Sequence, residues 1–274
     1  MEKIPPSWHY PDWPAPANVC AVSTSREGGV SRPPYDSFNL GSDGNDRACI
    51  AENRARLKSW LALPSEPIWL RQVQGARVVN SAEAAANLEA DATVALETGV
   101  LCAVLTADCL PVLFCDRNGT RVAAAHAGWR GILAGILEAT VKALATASEE
   151  LIAWFGPAIG ATAFEVGAEV RDAFIKSDPA CADVFTPSLT GNWLADIYAL
   201  ARIHLNAVGV TAIYGGGLCT YSDVARFFSY RRDKKTGRMT SLVWVSPAAN
   251  VQRTFAAERT LVYYGCTGRT PKAG

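Results

Sequence analysis

Histidine is scarce in this 274-residue chain: there are three, His9, His126 and His204, and that scarcity limits metal chemistry severely. Net charge is absent too. Lys and Arg total 26, as do Asp and Glu. With no basic surplus to release counterions, a nucleic-acid binder driven by phosphate neutralisation is disfavoured, although a local basic patch stays open. No apolar run reaches membrane-spanning length, because Val100 to Cys115 is broken by Thr106, Asp108 and Pro111. The start, MEKIPPSWHYPDWP, lacks the apolar stretch of a signal peptide. A soluble, cytoplasmic protein is expected, with no membrane partner. The eight cysteines (20, 49, 102, 109, 115, 181, 219 and 266) contain no CxxC pair, so reduced, mostly buried thiols are expected, not a disulfide framework. The GK[ST] ending of a phosphate loop, GxGxxG, GxSxG and HExxH are all missing, and Gly156–Gly160 resembles a phosphate loop only superficially.

What is present is a chain with 49% hydrophobic residues, enough to bury a core in one large domain. Residues 1–18, rich in Pro and Trp, read as an extended lead-in on the surface. Asn18–Thr24 reads as a strand, and residues 47–62 as a helix capped by Asp46, with Ile50, Leu57, Trp60 and Leu61 inward. Ile68–Val73 and Ala76–Asn80 read as strands around Gln74-Gly75. The unbroken apolar run Val100–Thr106 predicts a strand covered on both faces. Val112–Cys115 and Arg121–Ala125 predict a hairpin around Asp116–Gly119. Helices are predicted at Trp129–Ala145, 165–176 and 193–207, and a strand at 210–214. A closing hairpin of Phe227–Arg232 and Met239–Val245 follows. The pattern predicts an α+β fold in a single domain over residues 1–245, with residues 246–274 as a peripheral tail.

The richest segment is Thr106-Ala107-Asp108-Cys109-Leu110-Pro111, followed by Ala125-His126-Ala127-Gly128-Trp129-Arg130-Gly131. Cys109 lies in a bend and His126 at a strand end, and the hairpin between them brings both to one sheet edge. Thiolate and imidazole permit two chemistries. One is a Cys–His dyad in which the imidazole takes the thiol proton. The other is a zinc site with water at the open position. A buried cysteine and a satisfied core histidine would look the same in the sequence. The turn before the Trp129 helix bares amide groups that attract anions, and Arg130 adds charge. Arg26 beside Gly28-Gly29, and Ser229-Tyr230-Arg231-Arg232-Asp233, are further anion-contact candidates. Cys219 follows three glycines, where the backbone can approach a ligand, but a plain strand-to-loop turn is the simpler reading. His9 and His204 read as structural.

TADCLPVLFCDRNGT and VAAAHAGWRG resemble the core of the YfiH-type family, whose members carry the labels polyphenol oxidase with a laccase domain, peptidoglycan editing factor and purine nucleoside phosphorylase. The likeness continues through TSREGGVSRPPYDSFNLG, GPAIGATAFEVG, LADIYALAR and FFSYRRDKKTGRM, so it spans roughly residues 12–245. It implies an α/β sandwich-like fold, with mixed sheets covered by helices, related to a cysteine-dependent toxin deamidase. It also implies a metal site of two histidines and one cysteine. The cysteine falls on Cys109 and the second histidine on His126. The first histidine belongs to a QVHG motif that reads Gln72-Val73-Gln74-Gly75 here, so Gln74 stands at the ligand position. A neutral amide oxygen is a poor zinc ligand beside imidazole and thiolate, so zinc should be weakened or lost.

The activity implied is phosphorolysis of inosine, guanosine, adenosine or 5′-methylthioadenosine, with adenosine deamination, in a monomer or homodimer. Arg26 and Arg130 are candidates for phosphate and Asn39 for ribose or phosphate. Copper-dependent phenol oxidation is the alternative, although three histidines cannot build a multicopper centre of the usual kind. A hydrolase using Cys109 as nucleophile, editing a peptidoglycan precursor, is another. A non-catalytic nucleoside binder is the last.

Overall fold

The computed structural model describes residues 4–42 and 47–246. Asp46 and the tail from 247 onward lie outside the described residues. In chain order the elements are β1 (Val19–Ser23), α1 (Arg47–Trp60), β2 (Val78–Asn80), β3 (Ala92–Ala95), β4 (Leu101–Thr106), β5 (Leu110–Asp116) and β6 (Val122–Ala127). They continue with α2 (Trp129–Leu133), α3 (Ile136–Leu144), β7 (Leu151–Phe155), β8 (Glu165–Val166), α4 (Ala168–Ser177), β9 (Phe185–Pro187), β10 (Trp193–Ala195), α5 (Ile197–Ala207), β11 (Ala212–Gly215), α6 (Tyr230–Asp233) and β12 (Met239–Val245).

A six-stranded sheet of order β11-β7-β5-β6-β3-β2 packs on a three-stranded sheet of order β1-β12-β4, and β8-β10-β9 form a small third sheet. Strand alternation explains the layering. On β5, Leu110, Val112 and Phe114 join the core under α2–α5, while Leu113 and Cys115 face the second sheet. On β4, Cys102 and Val104 meet them from that sheet, and Leu101 and Ala103 pack the other way against Leu57, Leu61, Trp8 and Phe38. Both large sheets are thus covered on both faces, which is why their strands read as continuous apolar runs. The α+β fold with mixed sheets and flanking helices is as expected, and the β5–β6 hairpin pairs antiparallel from Leu110↔Ala127 to Cys115↔Val122. Burial pushes the Cys20, Cys102 and Cys115 thiols up to about 12, as inert core groups.

Several expectations fail for identifiable reasons. Residues 68–73 form no strand apart from a bridge between Arg71 and Glu89. Instead the Gln72 side chain bonds both backbone groups of Leu105, each at 2.7 Å, and takes the place of a neighbouring strand. The Trp129–Ala145 helix is split at Gly135, whose φ of 89° helices do not allow. The helices expected at 165–176 and 193–207 begin later, because residues 165–166 and 193–195 pair with each other as β8 and β10. The closing hairpin does not form. Residues 230–233 make α6, and β12 lies between β1 and β4. The lead-in is extended but not merely superficial: Trp8 is buried in the core, and His9 bridges to Ser23. A strand over 92–95 and another over 151–155 went unread, each being short.

Candidate functional site

Two loops and a hairpin meet at a cavity of about 580 Å³. Its lining includes Gln74, Asp108, Cys109, His126, Trp129 and Arg130. Cys109 immediately precedes β5. His126 lies on the neighbouring β6, opposite Pro111 in the antiparallel register, and it hydrogen-bonds the Cys109 thiol. Gly128 completes the corner. A Cβ built there would lie 3.0 Å from Cys109 Sγ and 3.0 Å from Gln74 Oε1. The thiol and the amide oxygen therefore meet over Gly128, kept open by the missing side chain, and the imidazole adjoins the thiol.

Asp91 organises this side. Its buried carboxylate accepts the backbone N–H groups of Val73 (3.2 Å), Gln74 (2.9 Å) and Gly75 (2.7 Å). It also bonds His126 Nδ1 at 2.8 Å. That leaves Nε2 of the ring for Cys109. Burial alone would raise the Asp91 carboxyl, but His126 and the loop N–H groups outweigh it and hold it below the ordinary range. Burial likewise works against a charged His126, yet the sulfur of Cys109 and the Asp91 carboxylate push it up to about 9. Gln74 itself sits at φ 60°, a left-handed conformation that the Asp91 clamp maintains.

Asp108 organises the other side. It also has a positive φ, 95°. Its Oδ1 accepts from Thr220 Oγ1 at 2.6 Å and its Oδ2 from the Arg231 backbone N–H at 2.6 Å. Its carbonyl accepts the Ile159 N–H at 2.9 Å. Three distant segments are thereby tied to the residue next to Cys109.

The structure brings Cys109, His126, Gln74, Arg130 and, from the Ser229–Asp233 stretch, Arg231 to the cavity and leaves two candidates elsewhere. Arg26 does not line the cavity. Its guanidinium bonds the Asp36 carbonyl (3.0 Å), the Asp36 carboxylate (3.1 Å) and the Val224 carbonyl (3.2 Å). Asn39 is buried and spends its amide on the backbone of Gly41 and the N–H of Arg238, both of which line the cavity. It braces the rim. Cys219 lies apart, its sulfur accepting from the Gly160 N–H at 3.2 Å. Its three preceding glycines are all left-handed, as a strand-to-loop turn requires. His204 bonds Glu138 across two packed helices at 2.6 Å, a structural role. The sequence reading missed Asp91, since a lone aspartate before an apolar strand carries no motif, and saw Asp108 only as part of a bend.

The metal question turns on the donor set. Among the described residues no cluster of three or more His, Cys, Asp or Glu side chains is placed to hold an ion. The buried Gln74 Oε1 nonetheless has no hydrogen-bond partner and faces the Cys109 thiol. A histidine whose Nδ1 is bound to a buried carboxylate presents Nε2 in the way metal-bound histidines do. These residues fit an ion held by two strong donors and one weak one.

Residues 20–246 match the family described as multi-copper polyphenol oxidoreductase laccase. This chain belongs to that YfiH-type, laccase-like family. It is 56% identical over 241 residues to a purine nucleoside phosphorylase of Pseudomonas aeruginosa, covering 87% of this chain and 98% of that one. To the purine nucleoside phosphorylase YfiH of Escherichia coli K12 it is 54% identical over 237 residues, 86% and 97% of the two chains. Among solved structures, a Neisseria meningitidis protein of the DUF152 family superposes with a TM-score of 0.85 at 49% identity, covering 88% of this chain and 99% of that one. YlmD of Geobacillus stearothermophilus gives 0.78 at 32%, covering 85% and 94%. No described helix is long and apolar enough to cross a membrane.

Proposed function

We propose that the cavity at Cys109 and His126 is the active site of a purine nucleoside phosphorylase acting on inosine, guanosine, adenosine or 5′-methylthioadenosine, with adenosine deamination as a side activity. The observation that carries this is the convergence of Cys109, His126 and Gln74 in a cavity that also holds aromatic and arginine side chains, in a chain over half identical to relatives bearing that name. The catalytic unit is residues 1–245, with the tail peripheral. The setting is cytoplasmic and the partners are small molecules, with no nucleic acid, in a monomer or homodimer.

In phosphorolysis an oxygen of inorganic phosphate bonds C1′ of the ribose. The C1′–N9 bond breaks, its electron pair leaves on the purine, and the purine takes up a proton. The chain's part is to hold the anion, exclude bulk water and keep a proton placed. Trp129, half-buried at the wall, offers a flat face to a purine, and Arg130 stacks on its ring at 4.3 Å. Without a metal ion, His126, oriented by Asp91, holds a proton at Nε2 beside the Cys109 sulfur; with one bound, Nε2 would be a ligand instead. Cys109, His126 and Gln74 would hold a metal ion, zinc first and copper second, which when bound supplies a water of lowered pKa. Gln74 in place of histidine weakens that hold and lowers any activity that depends on it.

The test is product analysis of inosine with and without phosphate. Hypoxanthine and ribose 1-phosphate formed only with phosphate, and lost in Cys109→Ala, are expected; hypoxanthine release that ignores phosphate contradicts the reading. The Asp91–His126–Cys109 chain of contacts also favours a second reading, a hydrolase in which Cys109 attacks a carbonyl, as in editing a peptidoglycan precursor. The family description favours copper-dependent phenol oxidation. Acylation of Cys109 by an activated ester, or chelator-sensitive phenol oxidation, distinguishes these.

A further inference from the structure

Four arginines line the cavity, and they are not equivalent. Arg71 is paired with Glu89 at 2.5 Å. Arg238 directs Nη1 to the carbonyls of Thr236 and Gly237. Arg130 is exposed and rests on the Trp129 ring. Arg231 is held from three directions. Its backbone N–H donates to Asp108, its Nη1 donates to the Glu165 carbonyl at 2.7 Å, and its guanidinium carbon sits 5.5 Å from the centre of the Phe164 ring. No hydrogen bond engages its Nε and Nη2 among the described residues. These two nitrogens form one edge of the planar guanidinium, with parallel N–H bonds that match two oxygens of a phosphate. No carboxylate forms an ion pair with the Arg231 guanidinium among the described residues, although the Glu165 carboxyl, lowered first by its Ser188 hydrogen bond, is lowered further by this charge.

The backbone of Arg231 is also tied to the residue next to Cys109. Asp108 is the residue before Cys109, and its φ of 95° is costly for a non-glycine residue unless the surroundings fix it. They do, through Thr220, Arg231 and Ile159. A held cation with an unspent bidentate edge, lining the same cavity as the thiol, is the arrangement an anion site needs.

We propose that Arg231 is the residue that holds inorganic phosphate in this cavity, and that Asp108 is the positioning residue that sets Arg231 relative to Cys109. The proposal rests on the phosphorylase reading for its choice of phosphate as the anion.

The experiment measures two quantities on the full-length protein. One is the rate at which iodoacetamide alkylates Cys109, followed by peptide mass, as inorganic phosphate is raised. The other is the KM for phosphate and for inosine. In the unmodified protein phosphate is expected to slow alkylation. Arg231→Met should raise the phosphate concentration for half-protection, and the phosphate KM, by about tenfold to a hundredfold, as loss of a charge-assisted hydrogen bond implies. The inosine KM should stay within about twofold on the same scale. Arg231→Lys keeps the stem against Phe164 and the charge but not the planar edge, so it should recover part of the loss. If Arg231→Met does not fold, this variant decides the matter. Asp108→Asn should shift phosphate KM in the same direction by less, again without moving inosine KM, which a general loosening of the core would not do.

Unchanged phosphate KM and half-protection in Arg231→Met overturn the proposal while leaving the phosphorylase reading standing. The absence of protection in the unmodified protein also counts against it. If inosine is never cleaved but phosphate protects Cys109 and Arg231→Met abolishes that protection, the anion assignment stands and the phosphorylase reading falls.

Discussion

Asp91 and Asp108 are both buried carboxylates beside the same cavity, and each keeps a non-glycine residue in a left-handed conformation. They differ in what they hold. Asp91 gathers a single loop, residues 73–75, and orients His126. Asp108 instead joins segments far apart in the chain, at residues 159, 220 and 231. The Asp91 side presents an imidazole and an amide oxygen, suited with the adjoining Cys109 thiol to a proton or a metal ion. The Asp108 side presents a guanidinium, suited to an anion. The division teaches that one site can build its soft donors and its anion contact on separate supports, so the two can be perturbed separately.

The sharpest way to break this division is to remove Asp91. Asp91→Ala leaves His126 and three loop N–H groups unpartnered in the interior. It should cost about 3–5 kcal/mol of stability, as the loss of one partner of a buried pair typically does. Urea unfolding measures this, and a cost near zero would show that the clamp is ornamental. Thr220→Val removes the hydroxyl that donates to Asp108 Oδ1 and should cost less, about 1–3 kcal/mol for a buried group left unsatisfied. Its effect on catalysis should appear in phosphate KM, not in metal content.

Gly128→Ala probes the donor side without touching Asp91. The added Cβ would stand 3.0 Å from both Sγ and Oε1 and must push them apart. A destabilisation of about 1–3 kcal/mol is expected from overpacking, with metal retention falling further. Gln74→His should hardly change stability but should tighten zinc about tenfold or more, at least what an outer-shell partner of a metal ligand contributes. Equal zinc content in both proteins after dialysis would show that Gln74 is not the weak point. The smallest effect is expected from Arg26→Met. Arg26 holds the loop at Asp36 away from the cavity, so about 1 kcal/mol of stability is at stake and phosphate KM should not move.

The layered sheets were legible because two-face burial writes unbroken apolar runs such as Val100–Thr106, and the β5–β6 hairpin because Asp116–Gly119 is a turn signal. Cys109 and His126 were legible because they flank that hairpin. Residues 68–73 and 227–232 were misread because their apolar and aromatic residues resemble strands, whereas a side chain takes the ladder's place in each: Gln72 bonds the backbone of Leu105 and Ser229 that of Arg232. Asp91 and Asp108 were not legible as clamps, since a buried aspartate is recognised by its partners and those lie from 16 to 123 positions away. Arg26 and Arg130 drew attention through adjacent glycines and Arg231 through its basic stretch, but only long-range contacts place Arg231 in the cavity.

The most direct test of the central claim is the initial rate of hypoxanthine release from inosine against phosphate concentration, for the unmodified protein and Cys109→Ala. The account predicts a rate that saturates with phosphate in the former and vanishes in the latter. A rate independent of phosphate, or one that survives the loss of Cys109, would contradict it.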